Sequence, residues 1–418
     1  MKVVYERCAG LDVHKKTVVA CVLTPDEAGG WRRETRTFST MTAELLALSD
    51  WLQSWGCTQV AMESTGDYWK PVFNILEATV EVLLVNAQHV KAVPGRKTDV
   101  KDAEWLAELL QHGLLRASFI PPVAQRELRD LTRYRNTFIR ERATLVNRVQ
   151  KVLEDANIKL GSVASNVMGV SGRAMLEALI AGDTNPERLA DLAKGRLREK
   201  RPQLIQALEG RVKPHHRFVL TELLCQIDSL EETLARFGEQ IQQQMSQADL
   251  PFESVAGLLD TIPGIARQAA EGIVAEMGVD MSRFPSADDL ASWAGVAPGN
   301  AESAGKRRAG KTRKGNSTLK TLLVQVAHAA AHTKNTCLAA QYRRLAARRG
   351  KKRAILAVAH SILVMAYHMI RNNEPYREAG ADYFDQLRPT DTANRLKKRL
   401  EALGYQVTLE KQASAMAV

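Results

Sequence analysis

Cys8-Ala9-Gly10-Leu11-Asp12-Val13-His14-Lys15-Lys16-Thr17-Val18-Val19-Ala20-Cys21-Val22-Leu23 is the stretch that decides the fold of this chain. The apolar, β-branched run from Val18 to Leu23 predicts a buried strand. Asp12 stands inside the apolar element that precedes it. Farther along, Gln59-Val60-Ala61-Met62-Glu63 is another apolar strand that ends on an acid, ahead of the loop Ser64-Thr65-Gly66-Asp67. Between them, Trp31 to Phe38 supplies a hairpin partner, and Leu45, Leu46, Leu48, Trp51 and Leu52 repeat with helical period. A helix around Val72 to Ala78 and a strand from Val80 to Val85 follow. Asp99 and Asp102 open a helical pattern through Trp105, Leu106, Leu109 and Leu110, and a spacing of three places them on one helix face. A hairpin followed by strand–helix alternation predicts a mixed sheet with helices on its faces over residues 1–121. Pro121-Pro122 breaks the chain there.

The placement of Asp12, Glu63, Asp99 and Asp102 suggests chemistry. Any one of them alone reads as a solvated charge or a helix cap, and Thr98-Asp99 would serve as an N-cap segment. Together they put carboxylates at two strand positions and on one helix face. A carboxylate in an apolar element needs a metal or a cationic partner. Oxygen donors suit hard divalent cations, and two such ions roughly 3.5–4 Å apart serve phosphoryl transfer.

Composition narrows the field. The chain has 418 residues, 45% of them hydrophobic and 25% charged, as in a soluble globular protein of two or three domains. No signal-peptide core leads the chain, and no membrane span is expected from its apolar runs. Cys8, Cys21, Cys57, Cys225 and Cys337 are odd in number and widely spaced, against a disulfide framework or a cysteine zinc site. A reduced, cytoplasmic protein is expected. The formal net charge is +11, yet residues 301–360 carry 15 Lys or Arg against the single acid Glu302. That block is interleaved with helically spaced Leu319, Leu322, Leu323, Val326, Ile355 and Val358, so it reads as a folded polyanion-binding surface, with nucleic acid preferred over a membrane.

The middle of the chain is helical. Leu131, Phe138, Leu145 and Val152 are seven apart, with Leu128, Arg135, Arg142 and Val149 at the partner positions, and residues 126–151 hold eight Lys or Arg against three acids, a second basic surface on which Arg135 and Arg142 are candidate nucleic-acid contacts. Leu220, Ile227, Leu234 and Ile241 repeat likewise, with Leu223, Leu230 and Phe237 beside them. These heptads predict a coiled coil over 122–250, formed either within one chain or between chains. A homo-oligomer is expected. Residues 160–213 are of mixed charge and show little chemistry, and His215-His216 reads as an isolated pair.

A further unit is expected over 251–372, with an extension at 373–418. Leu258-Leu259-Asp260-Thr261-Ile262-Pro263-Gly264-Ile265 resembles a helix-hairpin-helix turn that offers amides to a phosphate; a plain helical turn reads equally well. Residues 293–317 hold Gly295, Gly299, Gly305, Gly310 and Gly315 together with Lys306, Arg307, Arg308, Lys311, Arg313 and Lys314. A glycine-rich basic loop suits close approach to phosphates. Ser303 heads it. Such a serine is ordinarily only a polar loop residue, and attacks a phosphate only when a base or metal activates it. His328 and His332 share a helix face without further ligands nearby and read as packing or phosphate contacts.

Taken in order, these segments resemble a known family. Gly10-Leu11-Asp12-Val13-His14-Lys15, Met62-Glu63-Ser64-Thr65-Gly66 and Lys97-Thr98-Asp99-Val100-Lys101-Asp102-Ala103 resemble the N-terminal motifs of the DEDD-type transposases of bacterial insertion sequences, the "one-ten" family with its Piv-like invertase relatives. Thr261-Ile262-Pro263-Gly264-Ile265, Gly295-Val296-Ala297-Pro298 and Gly315-Asn316 resemble the C-terminal ones. The resemblance implies a RuvC-like, RNase H-type first domain. It implies Mg²⁺, with Mn²⁺ as a substitute, on Asp12, Glu63, Asp99 and Asp102, and Ser303 as a nucleophile that forms a transient phosphoserine link to DNA. It also implies a structured guide RNA, a bacterial nucleoid setting, and an acidic site in one protomer completed by the serine loop of another. Ala304 departs from the second small polar residue common in the family. The expected activity is DNA strand cleavage and rejoining in transposition. A RuvC-like nuclease that hydrolyses branched DNA, or a non-enzymatic nucleic-acid-binding protein, are the rival readings.

Overall fold

The computed structural model describes residues 2–27, 29–64, 66–86, 90, 102–299, 302–303, 306–307, 312 and 314–410. The chain divides into two compact units, Met1–Pro121 and Pro122–Val418.

In the first unit, β1 (Cys8–Val13), β2 (Thr17–Pro25) and β3 (Trp31–Ser39) form an antiparallel meander. After α1 (Thr42–Ser54), β4 (Gln59–Glu63) returns parallel to β1. After α2 (Trp69–Leu76), β5 (Glu81–Val85) lies parallel to β4. The sheet order is β3-β2-β1-β4-β5. Side chains alternate across it. Ala9, Leu11, Val13, Val60 and Met62 point toward Leu45, Leu48 and Leu52 of α1 and Val72 and Leu76 of α2. Cys8, Cys21 and Ala61 point to the other face, against Ala103, Ala107 and Leu110 of α3 (Asp102–Gln111). Burial on those faces pushes the Cys8 and Cys57 thiols up to about 12, so they are inert as thiolates at neutral pH. All five cysteines are free.

Gly10 permits the α3 contact. A Cβ there would lie 2.2 Å from the Ala103 carbonyl oxygen and 2.5 Å from the Ala107 amide nitrogen. With small residues one turn apart on the helix and none on the strand, the two backbones touch. Arg33 on β3 bonds Glu104 at 2.9 Å and also pairs with Glu108, which fastens the outer face of α3.

The second unit is built on a long helical arm. α4 (Val123–Asp155) and α8 (Pro214–Gln247) run antiparallel. The contacts are regular along their length: Gln244 to Glu127 at 2.8 Å, the Phe138 and Phe237 rings at 5.2 Å, Arg142 Nε to Glu231 at 2.8 Å, and His216 to Asp155 at 2.8 Å. Both predicted heptad helices therefore pair within one chain. At one end, α5 (Val170–Ala181), α6 (Pro186–Asp191) and α7 (Arg201–Leu208) wrap the arm. Their Met175, Leu176, Leu189 and Leu204 share a core with Leu145, Val149, Leu153, Leu220 and Ile227. Residues 160–213, silent in sequence, thus form a helical cap on the arm.

At the other end lies the larger core, which takes in Leu128, Ile241 and Met245 of the arm. Around it pack α9 (Phe252–Asp260), α10 (Arg267–Met277), α11 (Ala287–Trp293), α12 (Ser317–His332), α13 (Cys337–Arg349) and α14 (Lys351–Asn372). Among the described residues α14 is long and apolar enough to cross a membrane by length and composition alone, a test that the core helix of a folded unit also passes. Here Val358, Ala359, Ile362, Leu363 and Ala366 are buried in the core. Tyr367 is buried too, and its hydroxyl donates to the Phe284 carbonyl at 3.0 Å. An exposed helix, α15 (Pro389–Ala402), follows.

Candidate active site and nucleic-acid interface

The acidic residues of the first unit are placed by strand alternation and by one helix. β1 pairs with β4 up to Leu11 and Met62, so Asp12 and Glu63 stand one step beyond, side by side on adjacent parallel strands. Alternation from Cys8 and Ala61 puts both on the α3 face. α3 crosses β1 in the opposite direction: Ala103 and Ala107 sit over Gly10, and Cys8 Sγ lies 3.7 Å from the Ala107 carbonyl oxygen. The N-terminus of α3 is thereby aimed at the end of β1 that carries Asp12. Asp102 is the first residue of that helix and is exposed. Asp12, Glu63 and Asp102 therefore share one edge of one sheet face. Asp99 lies outside the described residues.

His14 belongs to this group, and sequence reasoning quoted it without weighing it. Its Nε2 lies 3.1 Å from Asp12 Oδ2, with 26% of the Asp12 side chain exposed. The signal was there: positions 12 and 14 are two apart on an extended segment and face the same way.

Among the described residues, three metal-capable groups converge within 4.8 Å at a different place, Asp155, His215 and His216 at the N-terminus of α8. The hydrogen bonds there describe a helix cap. His216 Nδ1 accepts from the Lys213 amide at 3.2 Å, which leaves the proton on Nε2, facing Asp155. A metal on Nε2 of a neutral imidazole would require a proton on Nδ1, against that amide. The histidine pair is thus not isolated, as the sequence reading had it. His216 closes the helix end onto α4.

In the second unit the serine loop is a hairpin with a tight root. β6 (Glu302–Ser303) pairs antiparallel with β7 (Lys306–Arg307), with Ser303 opposite Lys306. Pro298 bridges Thr312, and Lys320 Nζ donates to Thr312 Oγ1 at 2.7 Å. Below that, Gly315 lies against the end of α11. A Cβ on Gly315 would meet Gly295 N at 2.4 Å and Trp293 O at 2.5 Å. For Ser303, Lys306 and Arg307 the structure describes the backbone path. Arg308, Lys311 and Arg313 lie outside the described residues, and Lys314 is exposed.

Asn316 fixes the return of this hairpin into α12. Its Oδ1 accepts from the amides of Thr318 and Leu319 at 3.1 and 3.0 Å, an N-cap. Its Nδ2 donates to Glu276 Oε2 at 2.6 Å. Glu276, the penultimate residue of α10, has no exposed surface. It also accepts from Arg133 of the arm, at 2.6 Å from Nε and 2.9 Å from Nη2, and lies 3.5 Å from Arg129 Nε. Arg129 further donates to the Ala275 and Glu276 carbonyls at 3.3 and 2.6 Å. Burial pulls its guanidinium down to about 10, against the pull of Glu276, so it stays charged at neutral pH.

The cations predicted to hold nucleic acid separate into different classes. Arg135 is buried and bonds Glu271 of α10 at 2.6 Å and the Gln268 carbonyl at 3.2 Å. It serves the arm-to-core joint, which corrects its assignment to a nucleic-acid surface: a side chain on the heptad seam faces the partner helix or the core. Arg142 is held by Glu231 with a third of its side chain exposed. Cations that sequence reasoning left unnamed are open. Arg140 and Arg148 are exposed on the arm, and Arg343, Arg348, Arg349, Lys351, Lys352 and Arg353 are exposed around the α13–α14 turn at Gly350.

The turn between α9 and α10 settles on packing. Gly264 has φ +92°, and a Cβ there would lie 2.4 Å from the Ala330 amide nitrogen. Its bareness is explained by the α12 backbone rather than by a phosphate. His332 is occupied locally, its Nδ1 2.7 Å from the His328 carbonyl oxygen.

Comparison with known proteins places these features. A DEDD transposase model of the IS110 type matches residues 9–158, from β1 to the end of α4. A model for the transposase IS116/IS110/IS902 family matches residues 256–343, which include the serine hairpin. A Pseudomonas aeruginosa protein named "Probable family 20 transposase" is 27% identical over 274 residues, covering 65% of this chain and 70% of the relative. The transposase for insertion sequence element IS1111A of Coxiella burnetii is 23% identical over 329 residues, covering 77% of this chain and 79% of the relative. With both halves of the transposase matched in order, the acidic sheet first and the serine hairpin after the arm, the chain belongs to the IS110 family of insertion-sequence transposases and is a DNA-processing enzyme.

Proposed function

We propose that this transposase cuts and rejoins DNA through the Ser303 hydroxyl, with divalent metal on Asp12, Glu63, Asp99 and Asp102, at sites chosen by a guide RNA. The observation that carries the reading is the meeting of Asp12, Glu63 and Asp102 at one edge of one sheet face. The mixed sheet, with acids on a central strand, on its parallel neighbour and on the covering helix, supports a RuvC-like unit. Those donors are all oxygen, and Asp12 is part-exposed, so the set fits a hard cation such as Mg²⁺, with Mn²⁺ as a substitute. When bound, such a metal stabilises charge on the attacking and leaving oxygens of phosphoryl transfer.

The chain's own residues supply the rest. A bond forms between Ser303 Oγ and phosphorus as a phosphorus–oxygen bond to deoxyribose breaks. The serine proton passes to a base or to solvent, and the departing oxygen takes up a proton. Reversal with a different strand end rejoins the DNA with no nucleotide cofactor, since the phosphoserine keeps the ester energy. Lys306, Arg307, Arg308, Lys311, Arg313 and Lys314 hold phosphates beside the serine. The exposed cations of the arm and of the α13–α14 turn form separate surfaces, suited to RNA and DNA held together, with specificity delegated to base pairing. The family resemblance implies a homo-oligomer in which one protomer's serine meets another's acids.

The test is reconstitution of the full chain with DNA bordering its gene, with and without RNA transcribed from the adjoining noncoding segment. A covalent adduct mapped to Ser303 is expected, absent in Ser303→Ala, with cleavage also absent in Asp12→Asn. An adduct at another residue removes the serine assignment, and efficient site-specific reaction without RNA removes the guide.

A further inference from the structure

We propose that Glu276 is a positioning residue, which ties the helical arm to the root of the serine hairpin through Asn316. This deepens the serine reading above and rests on it. Glu276 is fully buried at the C-terminal end of α10, and three side chains from two other elements meet on its carboxylate. Arg133 and Arg129 reach it from α4 of the arm, and Asn316 reaches it from the junction of the hairpin with α12.

The Asn316 side chain is committed at both ends. Its carbonyl oxygen caps α12 and its amide nitrogen is held by Glu276. Its backbone amide donates to Trp293 O at 3.1 Å, the residue where the loop departs. A shift of Glu276 therefore moves both strands of the hairpin root together. Gly315 allows no slack beside it, since even a methyl group would collide with Gly295 and Trp293.

The other side of the carboxylate is the arm. Arg133 and Arg129 lie one turn apart on α4, so nucleic acid that bends or rotates the arm displaces the guanidinium groups that hold Glu276. The charge arithmetic favours a rigid link over a loose one. A buried carboxylate cannot give up its cations without a large desolvation penalty, so it follows them. The consequence is that the reactivity of Ser303 depends on the pose of the arm, although no arm residue need touch the scissile phosphate. A displacement of about 1 Å at a reacting atom is enough to cost on the order of a hundredfold in rate.

The variants separate the link from the cap. Asn316→Ser keeps a good N-cap but cannot reach Glu276. Asn316→Asp keeps the cap and sets a second carboxylate against it. On the arm side, Arg133→Gln removes the two-pronged bond. Hydrogen exchange on the free full-length protein reads the hairpin directly. All three variants are expected to exchange faster at the amides of 302, 303, 306, 307 and 312, with the cap amides of 318 and 319 still protected in the two Asn316 variants. In the reconstituted reaction, adduct formation at saturating nucleic acid is expected to fall about tenfold or more, with the half-saturating concentration unchanged in the Asn316 variants. Wild-type exchange and wild-type rates in Asn316→Ser and Asn316→Asp would overturn the proposal. Ser303→Ala, run alongside, isolates the underlying reading: an adduct that survives in it defeats the nucleophile assignment, while the exchange result still decides whether Glu276 holds the hairpin.

Discussion

Arg135 shows how position on a helix outweighs charge for a single residue. Its charge alone suggests a phosphate contact, and its position on the heptad seam of α4 suggests burial. The structure puts it 4% exposed against Glu271, so position prevails over charge. Removing one partner of a buried pair leaves the other charge uncompensated, at about 3–5 kcal/mol. Here Arg267 remains 2.9 Å from Glu271, which favours the lower end. Arg135→Ala is therefore expected to lose about 3 kcal/mol in urea unfolding. It should leave the slope of log affinity against log salt unchanged. Paired substitution of the exposed Arg348 and Arg349 should do the opposite, with intact stability and a slope reduced by about two. A lowered slope in Arg135→Ala would return that residue to the nucleic-acid surface.

At the scale of elements, the acidic edge depends on how closely α3 lies on β1. Gly10 sets that distance, and alanine there would collide with two backbone atoms of the helix, which a rotamer change cannot relieve. Gly10→Ala is expected to cost about 1–3 kcal/mol in the first unit. Because Asp102 begins α3, the same change moves it away from Asp12 and Glu63, so metal-dependent cleavage should fall more than nucleic-acid binding. Thermal unfolding and cleavage assays on one preparation check both, and wild-type cleavage would show that Asp102 does not need this helix pose. The strands were legible from residues 8–23 and 59–63, because apolar β-branched runs are a local signal, and this helix from the spacing of Asp102, Trp105, Leu106, Leu109 and Leu110. The serine hairpin was legible as a basic, glycine-rich loop. Its root was not, since Gly315 against Trp293 and Asn316 against Glu276 are contacts between segments far apart in sequence.

At the scale of the whole molecule, the two heptad helices satisfy each other within one chain. The Phe138–Phe237 and Arg142–Glu231 contacts occupy the surface that a partner chain would otherwise use. The proposed homo-oligomer must then assemble through other surfaces. Phe237→Ala is expected to weaken the arm while leaving the mass of the nucleic-acid complex, measured by light scattering, at its wild-type multiple. Loss of assembly in that variant would bring the arm back as the oligomer contact, and a single protomer per complex would exclude a shared active site.

Element types, the acids on strands β1 and β4, the heptad helices, the basic serine loop and the family resemblance could all be read from residue types and their spacing. Each depends on residue type and short-range spacing, which burial and backbone geometry translate directly into strands, helices and turns. Tertiary structure alone decided which helix the heptads choose, that residues 160–213 cap the arm, that Arg135 is a joint residue, and that Gly264 packs on α12. It also decided that Glu276 gathers Arg129, Arg133 and Asn316 around one carboxylate. The physical reason is that a buried charge takes whichever opposite charges the packing brings within reach, and that pairing joins residues more than a hundred positions apart, beyond any local pattern.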